Sequence, residues 1–221
     1  KQIHMEIVNR GLLDMDIVLA NAVMDMYARC GFLTNARRLL EELPVRDTIS
    51  WNTLITGYVQ LGKNHEALNC FENMQSEGVY PNAATFVCCL KACGSIGAIH
   101  ESKKIHEAIS NRGMLKTDIM LSNALVDMYA KCGMLEKALD VLEELPFRNV
   151  VSWNVLIAGY ALQGHGHKAL SCFDSLLHDG ISPDEVTFIC VLSACNRSGL
   201  LSVAQVIFRD MTIKYGIIPK L

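Results

Sequence analysis

No apolar run in this chain approaches the ~18 residues that a membrane-spanning helix needs, so no bilayer span is expected. Nor is there a basic run. Twenty lysines and arginines face 23 acidic residues, for a net charge of −3, so any nucleic-acid contact leans less than usual on bulk electrostatics. No C-x-x-C occurs, which removes the commonest zinc and thiol-redox spacing. There is no glycine-rich phosphate loop and no evident nucleophile–base pair. The opening residues Lys1-Gln2-Ile3-His4 do not resemble a secretory or organelle-targeting start, and the chain is expected to be a fragment whose true N-terminus lies elsewhere. What is abundant is apolar material: 51% of the 221 residues are hydrophobic, ample for a core and against disorder.

Eight of the nine cysteines pair at one spacing of 102 residues: Cys30 with Cys132, Cys70 with Cys172, Cys88 with Cys190, and Cys93 with Cys195. Only Cys89 lacks a counterpart. Copies so placed occupy equivalent sites in two units and do not bond to each other. They read as small buried hydrophobes in a reducing compartment.

The same offset governs the whole chain. Residues 21–71 and 123–173 are identical at 29 of 51 positions, with DMYARCGFL facing DMYAKCGML and SWNTLITGY facing SWNVLIAGY. This is an internal repeat. Each piece carries two short helical patterns. Trp51, Leu54, Ile55 and Tyr58 fall at i, i+3, i+4 and i+7 within 51–60, before Gly62; Ala67, Leu68, Phe71 and Met74 form a second stripe within 64–76, stopped by Gly78 and Pro81. The pattern recurs over 19–30 and 33–43, ended by Gly31 and Pro44, and over 85–93 and 99–112, ended by Gly94 and Gly113. Helices this short are marginal alone and must stack on their neighbours, as in a helical solenoid. The resulting units are a fragment 1–16, then 17–47, 48–82, 83–118, 119–149, 150–184 and 185–220, whose lengths of 31, 35 and 36 residues account for the offset.

These units carry a family resemblance. A tandem array near 35 residues with the pattern SWNxLIxGYxxxGxxxxALxCFxxM resembles the plant pentatricopeptide-repeat (PPR) proteins. The 31/35/36 alternation resembles their PLS subclass. On that resemblance 1–16 is a partial L repeat, 17–47 and 119–149 are S repeats, 48–82 and 150–184 are P repeats, and 83–118 and 185–220 are L repeats. Tetratricopeptide repeats have a close period but not the Trp-Asn pair or the alternation.

The resemblance implies an all-α, right-handed superhelical solenoid of stacked helix-turn-helix repeats. It implies binding of single-stranded RNA at about one base per repeat, N-terminal end toward the RNA 5′ end. In the family, the fifth and last residues of a repeat select the base together. Carried over, Asn21 with Asp47 implies U, Asn52 with Asn82 a pyrimidine leaning to C, Asn123 with Asn149 a pyrimidine, and Asn154 with Asp184 U. The L repeats supply Val87 with Asp118 and Ile189 with Lys220; Val and Ile cannot make the required hydrogen bonds, so these positions read little. The footprint is U-Y-N-Y-U-N, where Y is a pyrimidine and N any base. The base-packing residues implied are Val18, Ile49, Met120 and Val151, with Ala84 and Val186 in the L repeats. An Asn amide holds both a donor and an acceptor, which suits the edge of U or C.

A single asparagine near a helix start is ordinarily a cap or a solvated residue. Here it recurs in all four S and P units, each time directly after the residue at Ala20, Trp51, Ser122 or Trp153, where packing alone does not require it. RNA readout is therefore the expectation for the set. PLS proteins often end in a zinc-dependent cytidine deaminase, which needs H-x-E and C-x-x-C. His4-Met5-Glu6 matches the first by chance, since the equivalents are His106 and Ala108. Gly164–His167 reads as a solvated turn, and Glu41-Glu42, like Glu143-Glu144, as a solvated helix end. No catalytic residue, metal ligand or cofactor is expected in this chain, and any deaminase domain would lie outside it. The expected role is the specificity module of an organelle RNA-processing factor of C-to-U editing, in mitochondrion or chloroplast, with no membrane or DNA partner. The alternative is a protein-interaction solenoid whose L repeats dock small editing-cofactor proteins; a bare structural spacer is the remaining reading.

Overall fold

The computed structural model describes residues 17–219. The partial repeat 1–16, with His4 and Glu6, lies outside the described residues, as does Lys220. Among the described residues are twelve α-helices, one 3-10 turn at Met114–Lys116 and no strand. They alternate as hairpins: α1 (Ile17–Arg29) with α2 (Leu33–Glu42), α3 (Thr48–Gln60) with α4 (Asn64–Ser76), α5 (Ala83–Ile96) with α6 (Ile99–Asn111), α7 (Ile119–Lys131) with α8 (Leu135–Glu144), α9 (Val150–Leu162) with α10 (Gly166–His178), and α11 (Glu185–Arg197) with α12 (Leu201–Ile213). No helix is long and apolar enough to cross a membrane.

The stripes read from the sequence are the buried faces: Trp51, Leu54, Ile55 and Tyr58 on α3, and Ala67, Leu68, Phe71 and Met74 on α4. Helices α3, α5, α7, α9 and α11 each open on a polar cap and not on their first core residue, so α3 begins three residues ahead of its stripe. Asp47, Asn82, Asp118, Asn149 and Asp184 accept the backbone N–H of the third helical residue of α3, α5, α7, α9 and α11. Gly62 ends α3's hairpin turn with φ of +71°, and the Lys63 N–H reaches back to the Tyr58 carbonyl. One expected boundary is corrected. Gly94 does not end α5 but lies buried inside it, and the helix runs to Ile96 before Gly97 takes the left-handed conformation at φ +66°. A glycine costs a helix only about 1 kcal/mol, which burial of Cys93 and of Phe86 on the same helix offsets.

The chain divides into two compact units, Lys1–Ile109 and Ser110–Leu221. Within the first, α1, α3 and α5 pack side by side in one layer, with α2 wedged between α1 and α3 and α4 between α3 and α5. Within the second, α7, α9 and α11 form the equivalent layer, backed by α8 and α10 in the same way. Phe71 of α4 meets Phe86 of α5 edge-on with ring centroids 6.0 Å apart, and Phe173 meets Phe188 likewise at 5.9 Å. Arg46 fastens the end of α2 to the next hairpin: it donates to the Leu40 and Glu41 carbonyls and pairs with Glu77 at 2.5 Å. Its counterpart Arg148 donates to the Glu143 carbonyl and pairs with Asp179 at 2.8 Å.

Among the described residues no disulfide links any of the nine cysteines. Cys70, Cys89, Cys93, Cys172 and Cys195 are buried; Cys88, Cys132 and Cys190 are half-buried, and Cys30 is exposed, so the reading of buried hydrophobes fits only the first five.

Candidate nucleic-acid interface

The cap that starts each odd helix also builds the site. The asparagines at 21, 52, 123 and 154 are the fifth residues of α1, α3, α7 and α9. Each reaches across to the cap of the next odd helix in its layer. Asn154 Nδ2 donates to Asp184 Oδ1 at 3.0 Å, and Asn52 Nδ2 to Asn82 Oδ1 at 3.1 Å. Asn123 Nδ2 donates to Asn149 Oδ1 at a longer 3.5 Å. The Asn21 side chain hydrogen-bonds Asp47. An ionised carboxylate can only accept, and the Asn82 and Asn149 oxygens are committed to backbone N–H groups at 3.0 Å, so chemistry fixes the orientation of each asparagine amide.

The Asp47 and Asp184 carboxylates stay charged. Burial alone would raise the Asp184 pKa, but the Thr187 N–H, the Asn154 amide and the Thr187 hydroxyl together hold it below the ordinary carboxylate value. For Asp47 burial is likewise outweighed, by the Ser50 N–H and hydroxyl and by the Asn21 side chain.

The carbonyl oxygens of Asn21, Asn123 and Asn154 are buried and have no hydrogen-bond partner among the described residues. Burying such a group unpaired costs about 1–3 kcal/mol, a penalty that the Asn64 carbonyl and the Trp51 indole N–H also carry. Around them stand apolar side chains that a core would normally claim: Val18, Ile49, Met120, Val151 and Val186 are all at least half exposed, and Ala84 is exposed as well. In the second unit these groups line one hollow of about 510 Å³. Its lining includes Val151, Val186, Asn154 and Asp184, together with Lys131, Ala158, Gly159 and Cys190.

The remaining expected positions lie as follows. Val87 is half-buried on α5 and Ile189 exposed on α11. Asp118 accepts the Leu121 N–H at 3.0 Å as the cap of α7. The capping duty of these end-of-repeat residues escaped the sequence reading, although it was written there as D/N-x-x-S/T in DTIS, NAAT, NVVS and DEVT. The hydroxyls at Ser50, Thr85, Ser152 and Thr187, which close this pattern, were missed with it. Among the described residues no group of three or more His, Cys, Asp or Glu side chains could hold a metal ion.

A model of the PPR repeat family matches residues 46–95 and 148–197, and a PPR repeat model matches 18–47, 121–150 and 186–214. The pentatricopeptide repeat-containing protein At4g33990 of Arabidopsis thaliana is 42% identical over 207 residues, covering 93% of this chain and 25% of that protein. Another from the same plant, At1g08070, chloroplastic, is 40% identical over 222 residues, covering 100% of this chain and 30% of its own length. Among solved structures, maize PPR10 superposes with a TM-score of 0.72 at 25% identity over 90% of this chain and 30% of that one. PPR10 in complex with an 18-nt psaJ RNA element gives the same TM-score at 18% identity, over 94% of this chain and 32% of that one. The chain thus spans less than half the length of the curated relatives it matches.

Proposed function

The chain belongs to the pentatricopeptide repeat family, and we propose that it binds single-stranded RNA, reading about one base per repeat. The observation that carries this is the fourfold recurrence of one arrangement. An asparagine is held through its amide by the next helix cap, between exposed aliphatic residues, and in three of the four cases its carbonyl is left without a partner. An array of repeats each reading one base is a known mode of RNA recognition. Binding of RNA by PPR10, a protein of like fold, supports the same reading.

The finer reading follows the S-P-L order of the units. Asn21/Asp47 and Asn154/Asp184 select U, Asn52/Asn82 and Asn123/Asn149 select a pyrimidine, and Val87/Asp118 and Ile189/Lys220 are permissive, giving U-Y-N-Y-U-N from 5′ to 3′. Val18, Ile49, Ala84, Met120, Val151 and Val186 separate the bases. The array then serves as the specificity module of an organelle factor for C-to-U editing. Relatives named chloroplastic or mitochondrial support the organelle. A companion role, docking of small editing-cofactor proteins by the L repeats, is favoured by Val87 and Ile189, which offer no base a hydrogen bond.

The test is Asn154→Thr with Asp184 left in place. Competition binding with RNAs varied at the fifth footprint position is expected to move preference there from U toward G. An unmoved preference overturns the code for this chain.

A further inference from the structure

The four asparagine sites differ in where one neighbouring hydroxyl sends its proton. Each cap is followed, at the third residue of its helix, by Ser50, Thr85, Ser152 or Thr187. A hydroxyl has a single proton to donate. Beside the aspartates it goes to the carboxylate, from Ser50 to Asp47 at 2.7 Å and from Thr187 to Asp184 at 2.8 Å, as expected when a charged acceptor competes with a neutral one. Ser152 donates to the backbone carbonyl of Asn149 at 2.8 Å. Thr85 stands apart: its hydroxyl lies 2.6 Å from Asn52 Oδ1, and farther, at 3.1 Å, from the cap oxygen of Asn82. The Asn52 carbonyl is therefore engaged, while those of Asn21, Asn123 and Asn154 have no partner among the described residues.

We propose that Thr85 is a specificity-determining residue of the Asn52–Asn82 site, whose hydroxyl turns that site toward cytosine and away from uracil. The inference rests on the RNA reading above. Uracil presents a donor at N3 between two carbonyl acceptors; cytosine presents an acceptor at N3. Asn154 holds one N–H on Asp184, which leaves its carbonyl to accept uracil N3–H and its second N–H to donate to a uracil carbonyl. At Asn52 one acceptor direction of the carbonyl is already filled by Thr85. The same hydrogen bond polarises the amide and strengthens its remaining N–H as a donor, which suits cytosine N3. The base read is thus set by three residues: the asparagine, the cap, and the hydroxyl that the cap either captures or releases.

The experiment measures fluorescence anisotropy of the 221-residue chain with labelled single-stranded RNAs of the U-Y-N-Y-U-N pattern, carrying C or U at the second and fifth positions. The wild type is expected to favour C at the second and U at the fifth. Thr85→Val lowers the C:U ratio at the second position about fivefold, the worth of one neutral hydrogen bond, and Thr85→Ser keeps it. Thr187→Val loses the equivalent capping hydroxyl but leaves the fifth position on U, which separates readout from helix stability. Asp184→Asn, which frees the Thr187 hydroxyl, moves the fifth position toward C, and adding Thr187→Val cancels that move. If the wild type discriminates at the fifth position but prefers U at the second, or if Thr85→Val leaves the ratio unchanged, this inference fails alone. If the wild type shows no base preference at either position, the RNA reading fails and takes the inference with it.

Discussion

Replacing Gly57 by alanine puts a methyl group of α3 against Ala28 of α1. An ideal Cβ at Gly57 would stand 2.7 Å from the Ala28 Cβ and 3.1 Å from Leu33 Cδ2. The first of these is the nearer and the less forgiving, because Ala28 has no rotamer with which to withdraw; the two helices must separate. The helix gains about 1 kcal/mol of propensity from Gly→Ala, against ~1–3 kcal/mol for overpacking a tight contact. The balance is a net loss of about 1 kcal/mol. The equivalent Gly159 is the control. There the close neighbour is the end of a flexible side chain, Leu135 Cδ2 at 2.5 Å, while Ala130 Cβ is 3.7 Å away. Leu135 can rotate aside, so Gly159→Ala is expected to be neutral or slightly stabilising. Thermal unfolding followed by circular dichroism should lower the Gly57→Ala midpoint by about 2–4 °C and leave that of Gly159→Ala near wild type. A Gly57→Ala variant as stable as wild type would refute the close α1–α3 approach.

Four further outcomes follow from contacts elsewhere in the fold. Asp179→Ala strands both Arg148 and the indole N–H of Trp153, which donates to Asp179 at 3.0 Å, and should cost about 1–3 kcal/mol in urea unfolding. Glu77→Ala should cost less than about 1 kcal/mol, because the Trp51 N–H has no partner among the described residues to lose. Because the Asp47 and Asp184 pKa values are depressed on folding, their contribution is present above the ordinary carboxylate range and lost as pH falls through their folded values. Melting curves should therefore drop below about pH 4, and Asp184→Asn, which keeps a cap oxygen but cannot titrate, should flatten part of that drop. In a pulse of iodoacetamide read by mass spectrometry, exposed Cys30 should label first. Burial raises the Cys70 thiol to about 11, the Cys172 thiol to about 12 and the Cys89 thiol well above its ordinary value, so these three should label only on unfolding.

The helical hairpins were legible because apolar periodicity is a direct record of burial. Trp51, Leu54, Ile55 and Tyr58 could share one face only on a helix, and all four are in the core. Helix starts were less legible, since the first two residues of α3, α5, α7, α9 and α11 are exposed or half-buried and the start is announced only by its cap. Asp47, Asn82, Asn149 and Asp184 were read solely as ends of the preceding repeat, which hid their second duty as starts of the next helix. Gly94 misled for a different reason. A glycine in an apolar helix reads as a stop, but here it is buried within α5 and the left-handed turn is made by Gly97. The routing of the Thr85 hydroxyl was not legible, because beside the two neutral caps the hydroxyls go to different acceptors, Thr85 to the Asn52 carbonyl and Ser152 to the Asn149 backbone carbonyl. Thr187 occupies the same place in the same motif, but beside the charged Asp184 its proton goes to the cap.

The central claim is that this chain reads bases, and the most direct measurement is its affinity for a short single-stranded RNA of the U-Y-N-Y-U-N pattern beside one with purines at the four specified positions. If each mismatch forfeits about 1 kcal/mol, the pyrimidine RNA should bind more than roughly tenfold tighter even when two of the four sites contribute. Equal affinity for the two RNAs would contradict the account.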